Sequence, residues 1–210
     1  MALYDDALSR LSPGLESFVV GTSLGDTHVL ATGPEDSPPL MVLSGGNFLN
    51  PACLEWFLPL AESRRVYSPD IIGQPGRSAP SRPSSKGDGH AHWMEEILDG
   101  LGIRRAPFVG ISYGAGIVLR VAGRSPERIS GAVLVSPSGL VGGSITQMLV
   151  EVALPMVMYR LSPSSNRLRK STSPVLTEED EDLTRQIGAV YRRVKLERFP
   201  KRLAHLASAD

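Results

Sequence analysis

Hydrophobic and polar positions along the chain form two kinds of segment. Apolar runs bounded by turn residues predict strands at Phe18 to Val20, His28 to Ala31, Leu40 to Leu43, Arg65 to Tyr67, Phe108 to Ile111 and Gly131 to Val135. The first two runs are joined by a turn that contains Gly25 and Asp26, and they predict a hairpin. Helical periodicity follows over Ala91 to Leu101 and Ala115 to Ala122. Because parallel strands need crossover connections, the pattern predicts an α/β fold with a mostly parallel sheet covered by helices.

This alternation of strand and helix ends near residue 144. From there to residue 210 the chain shows helical patterns separated by Ser/Pro-rich breaks, and one of them passes through Ile187, Val190 and Tyr191. We therefore expect a sheet-containing core over residues 1–144 and a helical region over residues 145–210.

Composition and charge narrow the class of protein. The 210 residues, 41% of them hydrophobic, suit one soluble globular domain with a sizeable core. The 22 basic and 22 acidic residues cancel, so we expect no nucleic-acid partner and no anionic membrane surface. The apolar stretch from Met148 to Leu161 is too short to span a bilayer. One cysteine, Cys53, excludes an internal disulfide, and together with an acidic N-terminal sequence it favours the cytoplasm.

The most informative motif is Gly110-x-Ser112-x-Gly114, which lies between an apolar strand and a helix. A nucleophile elbow requires this context, because its serine occupies a strained strand-to-helix turn where flanking side chains would collide with neighbours. The adjoining helix N-terminus favours a developing negative charge. The motif predicts Ser112 as a nucleophile. The alternative is a tight turn in which Ser112 only caps the helix.

A second motif is the Gly45-Gly46 turn that follows the strand Leu40 to Leu43. Acyl-transfer enzymes need two backbone N–H donors aimed at the tetrahedral oxyanion. The amide of Tyr113, immediately after the serine, is one candidate, and Gly46 is the other. The alternative for this turn is an ordinary flexible strand end.

Four segments together resemble the α/β-hydrolase superfamily, most closely its bacterial carboxylesterase-like members with a helical cap. They are Leu40 to Phe48, Ser68 to Ser78, Val109 to Gly116 and Val133 to Pro137, in the family's order and spacing. The resemblance implies a hydrolase sheet, a cap inserted after the strand Gly131 to Val135, no cofactor, and a small-molecule ester or acyl substrate. It implies a structural role for Asp70. The sequence departs from the family at Ser44, where a histidine is usual.

The resemblance also implies a triad of Ser112, an acid and a histidine, in that chain order. In the family the acid and the histidine lie on two further strands beyond the cap, whereas this chain ends at Asp210. Downstream of Ser112 the candidates are His205 with Asp180 or Asp182, and all three fall in helical sequence instead of at strand ends. The acid and the base are therefore left unassigned.

The other three histidines precede the serine. His90 and His92, two residues apart, cannot share one helical face, and we expect both at the surface of a helix start. His28 lies in a predicted strand and is expected to be structural. No histidine pair and no His/Asp/Glu cluster has ligand spacing, so no metal is expected.

These observations predict an α/β hydrolase whose last strands are missing. By ancestry it is a serine carboxylesterase, but without an assigned base we expect weak or absent hydrolysis. The alternative is a non-catalytic binding or interaction protein on a truncated hydrolase scaffold, and an open sheet edge could support self-association. Acyltransferase, peroxidase and lyase reactions on the same fold are not distinguished.

Overall fold

The computed structural model describes residues 2–11, 14–84, 87–137, 150, 154–173 and 181–193. The chain divides into two compact units, Met1–Leu140 and Val141–Asp210. The first unit contains the sheet. The described residues of the second unit contain helices.

The sheet has six strands in the order β1-β2-β4-β3-β5-β6. They are β1 Glu16–Val20, β2 Thr27–Thr32, β3 Pro39–Leu43, β4 Arg65–Pro69, β5 Ala106–Ile111 and β6 Ile129–Val135. Strands β1 and β2 form an antiparallel hairpin, and β2 pairs antiparallel with β4. Strands β4, β3, β5 and β6 run parallel. The predicted α/β class, the mostly parallel sheet and the opening hairpin are confirmed.

The helices of the first unit precede β1 or connect these strands. They are α1 Ala2–Ser9, α2 Asn50–Leu54 with a 3-10 continuation Glu55–Glu62, α3 Gly89–Gly100, α4 Tyr113–Arg124 and a 3-10 turn Pro126–Arg128. Helices α3 and α4 match the predicted helical segments. Helices α1 and α2 were not predicted, because both are too short to show a hydrophobic period.

Hydrophobic clusters cover both faces of the sheet. On β3, Met41 and Leu43 belong to the cluster that packs under α3 and α4, whereas Leu40 and Val42 belong to the cluster beside α1 and α2. Because side chains alternate along a strand, a strand buried on both faces reads as a continuous apolar run. The core therefore fixes the end of β3 beside the helices that border the candidate site.

The second unit is built of α5 Leu154–Leu161, α6 Ser165–Thr172 and α7 Glu181–Arg193. The three helices pack against one another and bury apolar side chains, among them Met156, Tyr159, Ile187, Val190 and Tyr191. The helix predicted through Ile187, Val190 and Tyr191 is confirmed. Among the described residues there is no helix long and apolar enough to cross a membrane.

Candidate active site

The carboxyl ends of the four parallel strands meet at one edge of the sheet. Leu43 of β3 pairs with Gly110 of β5, and Ile111 pairs with Val135 of β6. The residues that follow these strands therefore lie side by side, and Ser112 is one of them. In open parallel sheets, ligands bind at this edge.

Ser112 has an unusual backbone conformation, with φ 47° and ψ −107°. L-residues with a side chain rarely adopt this backbone conformation, so the surrounding structure must maintain it at Ser112. The Ser112 amide donates to the Val135 carbonyl at 2.8 Å, and the Ser112 carbonyl accepts from Gly116 at 3.0 Å. The side chain of Ser112 is exposed and makes no capping hydrogen bond with the described residues of α4. The capping alternative therefore gains no support.

The two glycines that flank Ser112 allow close packing around it. A methyl group on Gly110 would lie 2.6 Å from Cα of Ala115, in the first turns of α4. A methyl group on Gly114 would collide with the carbonyl oxygens of Leu43 and Ser44 at the end of β3. Both separations are below van der Waals contact, so any other residue would push α4 away from the sheet.

Residues 44–48, which we call the oxyanion loop, run beside this turn. A methyl group on Gly46 would lie 3.1 Å from Cβ of Tyr113, so the two predicted oxyanion donors belong to residues in contact. Asn47 has φ 58°, and its amide donates to Oε1 of Gln74 at 2.9 Å. Sequence reasoning missed Gln74, because its contact with the loop spans 27 residues.

Cys53 of α2 contacts the oxyanion loop at Gly45. Its side chain is fully buried, and burial raises the pKa of the thiol to about 12, while a hydrogen bond with the Gly45 backbone acts in the opposite direction. A thiol with so high a pKa stays protonated and is a poor nucleophile. Cys53 therefore acts as a packing residue at this site.

His90, in the first turn of α3, is buried with 7% exposure, so the expectation of a surface residue was wrong. Its Nε2 lies 2.9 Å from Oη of Tyr113, and the two rings pack edge to face with centroids 5.6 Å apart. Burial, with a smaller contribution from Arg120, lowers the pKa of His90 to about 4. The ring is therefore neutral at neutral pH. His92 is exposed as predicted and contacts Glu95 and Glu96.

Asp70, at the end of β4, is buried and holds together the loop that follows it. Its carboxylate accepts from the Arg77 amide at 2.7 Å and from the Tyr4 hydroxyl at 2.9 Å. Nδ1 of His28 lies 3.4 Å from the same carboxylate. These contacts agree with the structural roles expected of Asp70 and His28.

The remaining candidates for the acid and the base are not among the side chains that the structure describes. His205 and Asp180 lie outside the described residues, as does the side chain of Asp182, a residue of α7. The contacts found for the three described histidines are with residues other than Ser112. The described part of the chain thus places Ser112, Gly46 and Tyr113 together and assigns no acid or base. It also holds no group of three or more side chains suited to a metal ion.

Comparisons with known proteins agree with the fold. A family model described as alpha/beta hydrolase fold matches residues 38–162. The carboxylesterase YbfK of Bacillus subtilis is 36% identical over 135 residues, which are 64% of this chain and 46% of that protein. The uncharacterized carboxylesterase nap of the same organism is 35% identical over 138 residues, 64% of this chain and 45% of that protein. The chain thus spans about half the length of these relatives.

Solved structures extend the similarity. The crystal structure of naproxen esterase from Bacillus subtilis superposes with a TM-score of 0.73 at 25% identity, covering 95% of this chain and 71% of that one. The structure of carboxylesterase CesB (YbfK) superposes with a TM-score of 0.71 at 26% identity, covering 92% and 69%. The similarity in fold therefore covers nearly the whole chain.

Proposed function

Because the chain belongs to the alpha/beta-hydrolase fold family, we propose that it is a serine hydrolase of the carboxylesterase type with Ser112 as its nucleophile. The observation that carries this proposal is the strained, exposed Ser112 at the carboxyl edge of the sheet, beside Gly46 and Tyr113. The carboxylesterase relatives support the same reaction class.

In the proposed mechanism the Ser112 hydroxyl attacks the carbonyl carbon of an ester. The carbonyl oxygen becomes an oxyanion, which accepts hydrogen bonds from the amides of Gly46 and Tyr113. A histidine takes the hydroxyl proton and passes it to the leaving alcohol, and water then hydrolyses the acyl-enzyme. The described histidines, His28, His90 and His92, each have other partners, and His205 is the candidate base that follows Ser112 in the chain.

We propose a small-molecule carboxylic ester as the substrate, with no cofactor, no nucleic acid and no membrane partner. The buried free thiol of Cys53 suits a reducing compartment, and we propose the cytoplasm. Within the described residues β6 is an edge strand with Val133 and Val135 exposed, which favours self-association through that edge.

A fluorophosphonate probe tests the proposal, because it reacts with activated serines and the label accumulates even when turnover is slow. We expect labelling of the native chain and its loss in Ser112→Ala. Ser136→Ala is the matched control, because Ser136 also follows a strand with positive φ (44°) at this edge of the sheet. An unlabelled but folded native chain would overturn the proposal and support the non-catalytic binding protein.

A further inference from the structure

The side chain of Tyr113 connects three elements at the candidate site. Its backbone belongs to the turn that carries Ser112, and its Cβ and Cγ lie against Gly46 of the oxyanion loop. Its hydroxyl reaches the start of α3, where it meets Nε2 of His90 at 2.9 Å. The residue that would donate one oxyanion hydrogen bond thus contacts the residue that would donate the other.

Burial and ring packing protect the hydrogen bond between the Tyr113 hydroxyl and Nε2 of His90. His90 is 7% exposed, and the edge-to-face packing of the two rings restricts rotation of both. A neutral imidazole either accepts from the phenol or donates to it through Nε2, so one hydrogen bond forms in either tautomer. A partly buried bond of this kind is costly to break, because the buried His90 ring would lose its hydrogen bond away from water.

Fixing the Tyr113 side chain also fixes the peptide beside it. With the hydroxyl held at α3 and Cβ against Gly46, the Tyr113 backbone can rotate little without breaking one of these contacts. Gly46 is restricted in the same way, since the Tyr113 side chain lies against it and Oε1 of Gln74 accepts from the next amide, that of Asn47. Oxyanion stabilisation depends on donor positions to within a fraction of an ångström.

We propose that His90 and Tyr113 form a positioning pair that fixes the spacing of the two oxyanion-hole amides, those of Gly46 and Tyr113. The inference rests on the proposed serine-hydrolase function. In it His90 acts through Tyr113 and does not act as the base for Ser112, because its Nε2 is already bonded to the phenol.

Four variants of the full chain test the pair. Tyr113→Phe removes only the hydroxyl, whereas His90→Leu removes the imidazole ring together with its nitrogens. His90→Gln can offer an amide group near the position of Nε2 and serves as the conservative rescue. His92→Leu is the matched control, since His92 lies two residues further along α3 with its side chain 53% exposed.

The first measurement is fluorophosphonate labelling resolved into kinact and KI. For Tyr113→Phe and His90→Leu we expect kinact to fall about 10-fold with KI unchanged, less than the loss of a whole oxyanion donor. The double variant should be no slower than either single variant, because both remove one interaction. His90→Gln should recover most of the lost rate, and His92→Leu should match the native chain.

The second measurement is the 15N order parameter of the Gly46 amide, which needs no activity. We expect a rigid value of about 0.85 in the native chain and a clear decrease in Tyr113→Phe. Unchanged kinact and an unchanged order parameter in folded Tyr113→Phe would overturn the pair. If the native chain is not labelled at all, the hydrolase proposal fails, and the order parameter alone decides whether the pair positions Gly46.

Discussion

Ser112 is held in a backbone region that costs on the order of 1–3 kcal/mol for a residue with a side chain. Its amide hydrogen bond to Val135 and the start of α4 directly after it maintain this conformation. The close approach of α4 to β3 and β5 depends on Gly114 and Gly110. At the scale of single residues, the packing around Ser112 therefore maintains the strained conformation of this exposed serine.

Replacing Gly114 by alanine should destabilise the protein, because the added methyl group collides with the backbone carbonyls of Leu43, at the end of β3, and Ser44. We expect a loss of about 2–3 kcal/mol in the free energy of unfolding, measured by urea denaturation. The control is Gly123→Ala on the same helix, where the methyl group meets no atom within 4 Å. That change should be neutral or stabilising by up to about 1 kcal/mol. Equal effects of the two substitutions would contradict the packing argument.

The buried His90 should make stability depend on pH. Its pKa is about 4 in the folded chain against an ordinary 6.5, so the unfolded chain binds the proton more readily between these values. The contribution of the neutral His90 ring to the free energy of unfolding is complete above pH 6.5. It is lost as the pH falls towards 4, by on the order of 1–2 kcal/mol.

Urea denaturation of the native chain and of His90→Gln between pH 4 and 7.5 measures this effect. The native chain should lose more stability on acidification than the variant, since carboxylates titrate in both. Parallel stability curves would show that burial does not lower the pKa of His90.

At the scale of elements, α1 docks on the loop that follows β4. The Tyr4 hydroxyl donates to the buried Asp70 carboxylate, and Arg77 from the same loop reaches Asp5 and lies over the Tyr4 ring. Burial and the neighbouring carboxylate raise the pKa of Tyr4, so the phenol remains a proton donor. Since Asp70 also binds the Arg77 amide, α1 and this loop are stabilised together.

Tyr4→Phe should therefore cost about 1–2 kcal/mol in the free energy of unfolding, because a buried carboxylate loses one donor. Asp5→Asn is the contrasting variant on the same helix. It weakens an ion pair whose Asp5 side chain is 51% exposed, and it should cost less than about 1 kcal/mol. Chemical denaturation of both variants at pH 7 separates the two contributions. A larger loss of unfolding free energy in Asp5→Asn than in Tyr4→Phe would contradict this ranking of the two contacts.

At the scale of the whole molecule, the described residues bring together part of the proposed site. The proposed nucleophile Ser112 and the two proposed oxyanion donors, Gly46 and Tyr113, are adjacent, whereas the described histidines contact other residues. The chain also spans about half the length of its curated relatives. The acid and the base that would complete the proposed site are therefore not assigned by the described residues.

We expect the 210-residue chain to hydrolyse a p-nitrophenyl ester weakly or not at all, at least ~10⁴-fold below an enzyme with a complete triad. The measurement is the initial rate for the native chain, Ser112→Ala and His205→Ala. Robust turnover that disappears in both variants would contradict this expectation and identify His205 as the base.

Much of the architecture follows from local patterns. Strand and helix periods predict the parallel sheet, the hairpin and helices α3 and α4, because burial on a sheet or helix face requires that spacing of apolar residues. The glycines around Ser112 predict a tight turn for a similar reason, since each lacks the side chain that would collide there. Helices α1 and α2 could not be predicted in this way, because one or two turns are too short to show a hydrophobic period.

Tertiary structure alone decides which distant residues share the site. The buried state of His90 depends on α3 packing beside α4, and its bond to Tyr113 spans 23 residues. The contact between Gln74 and Asn47 and the docking of Tyr4 on Asp70 are likewise long-range. A one-dimensional pattern records which face of an element is apolar. It does not record which polar side chain on another element completes a hydrogen bond, because that choice is made when the elements pack.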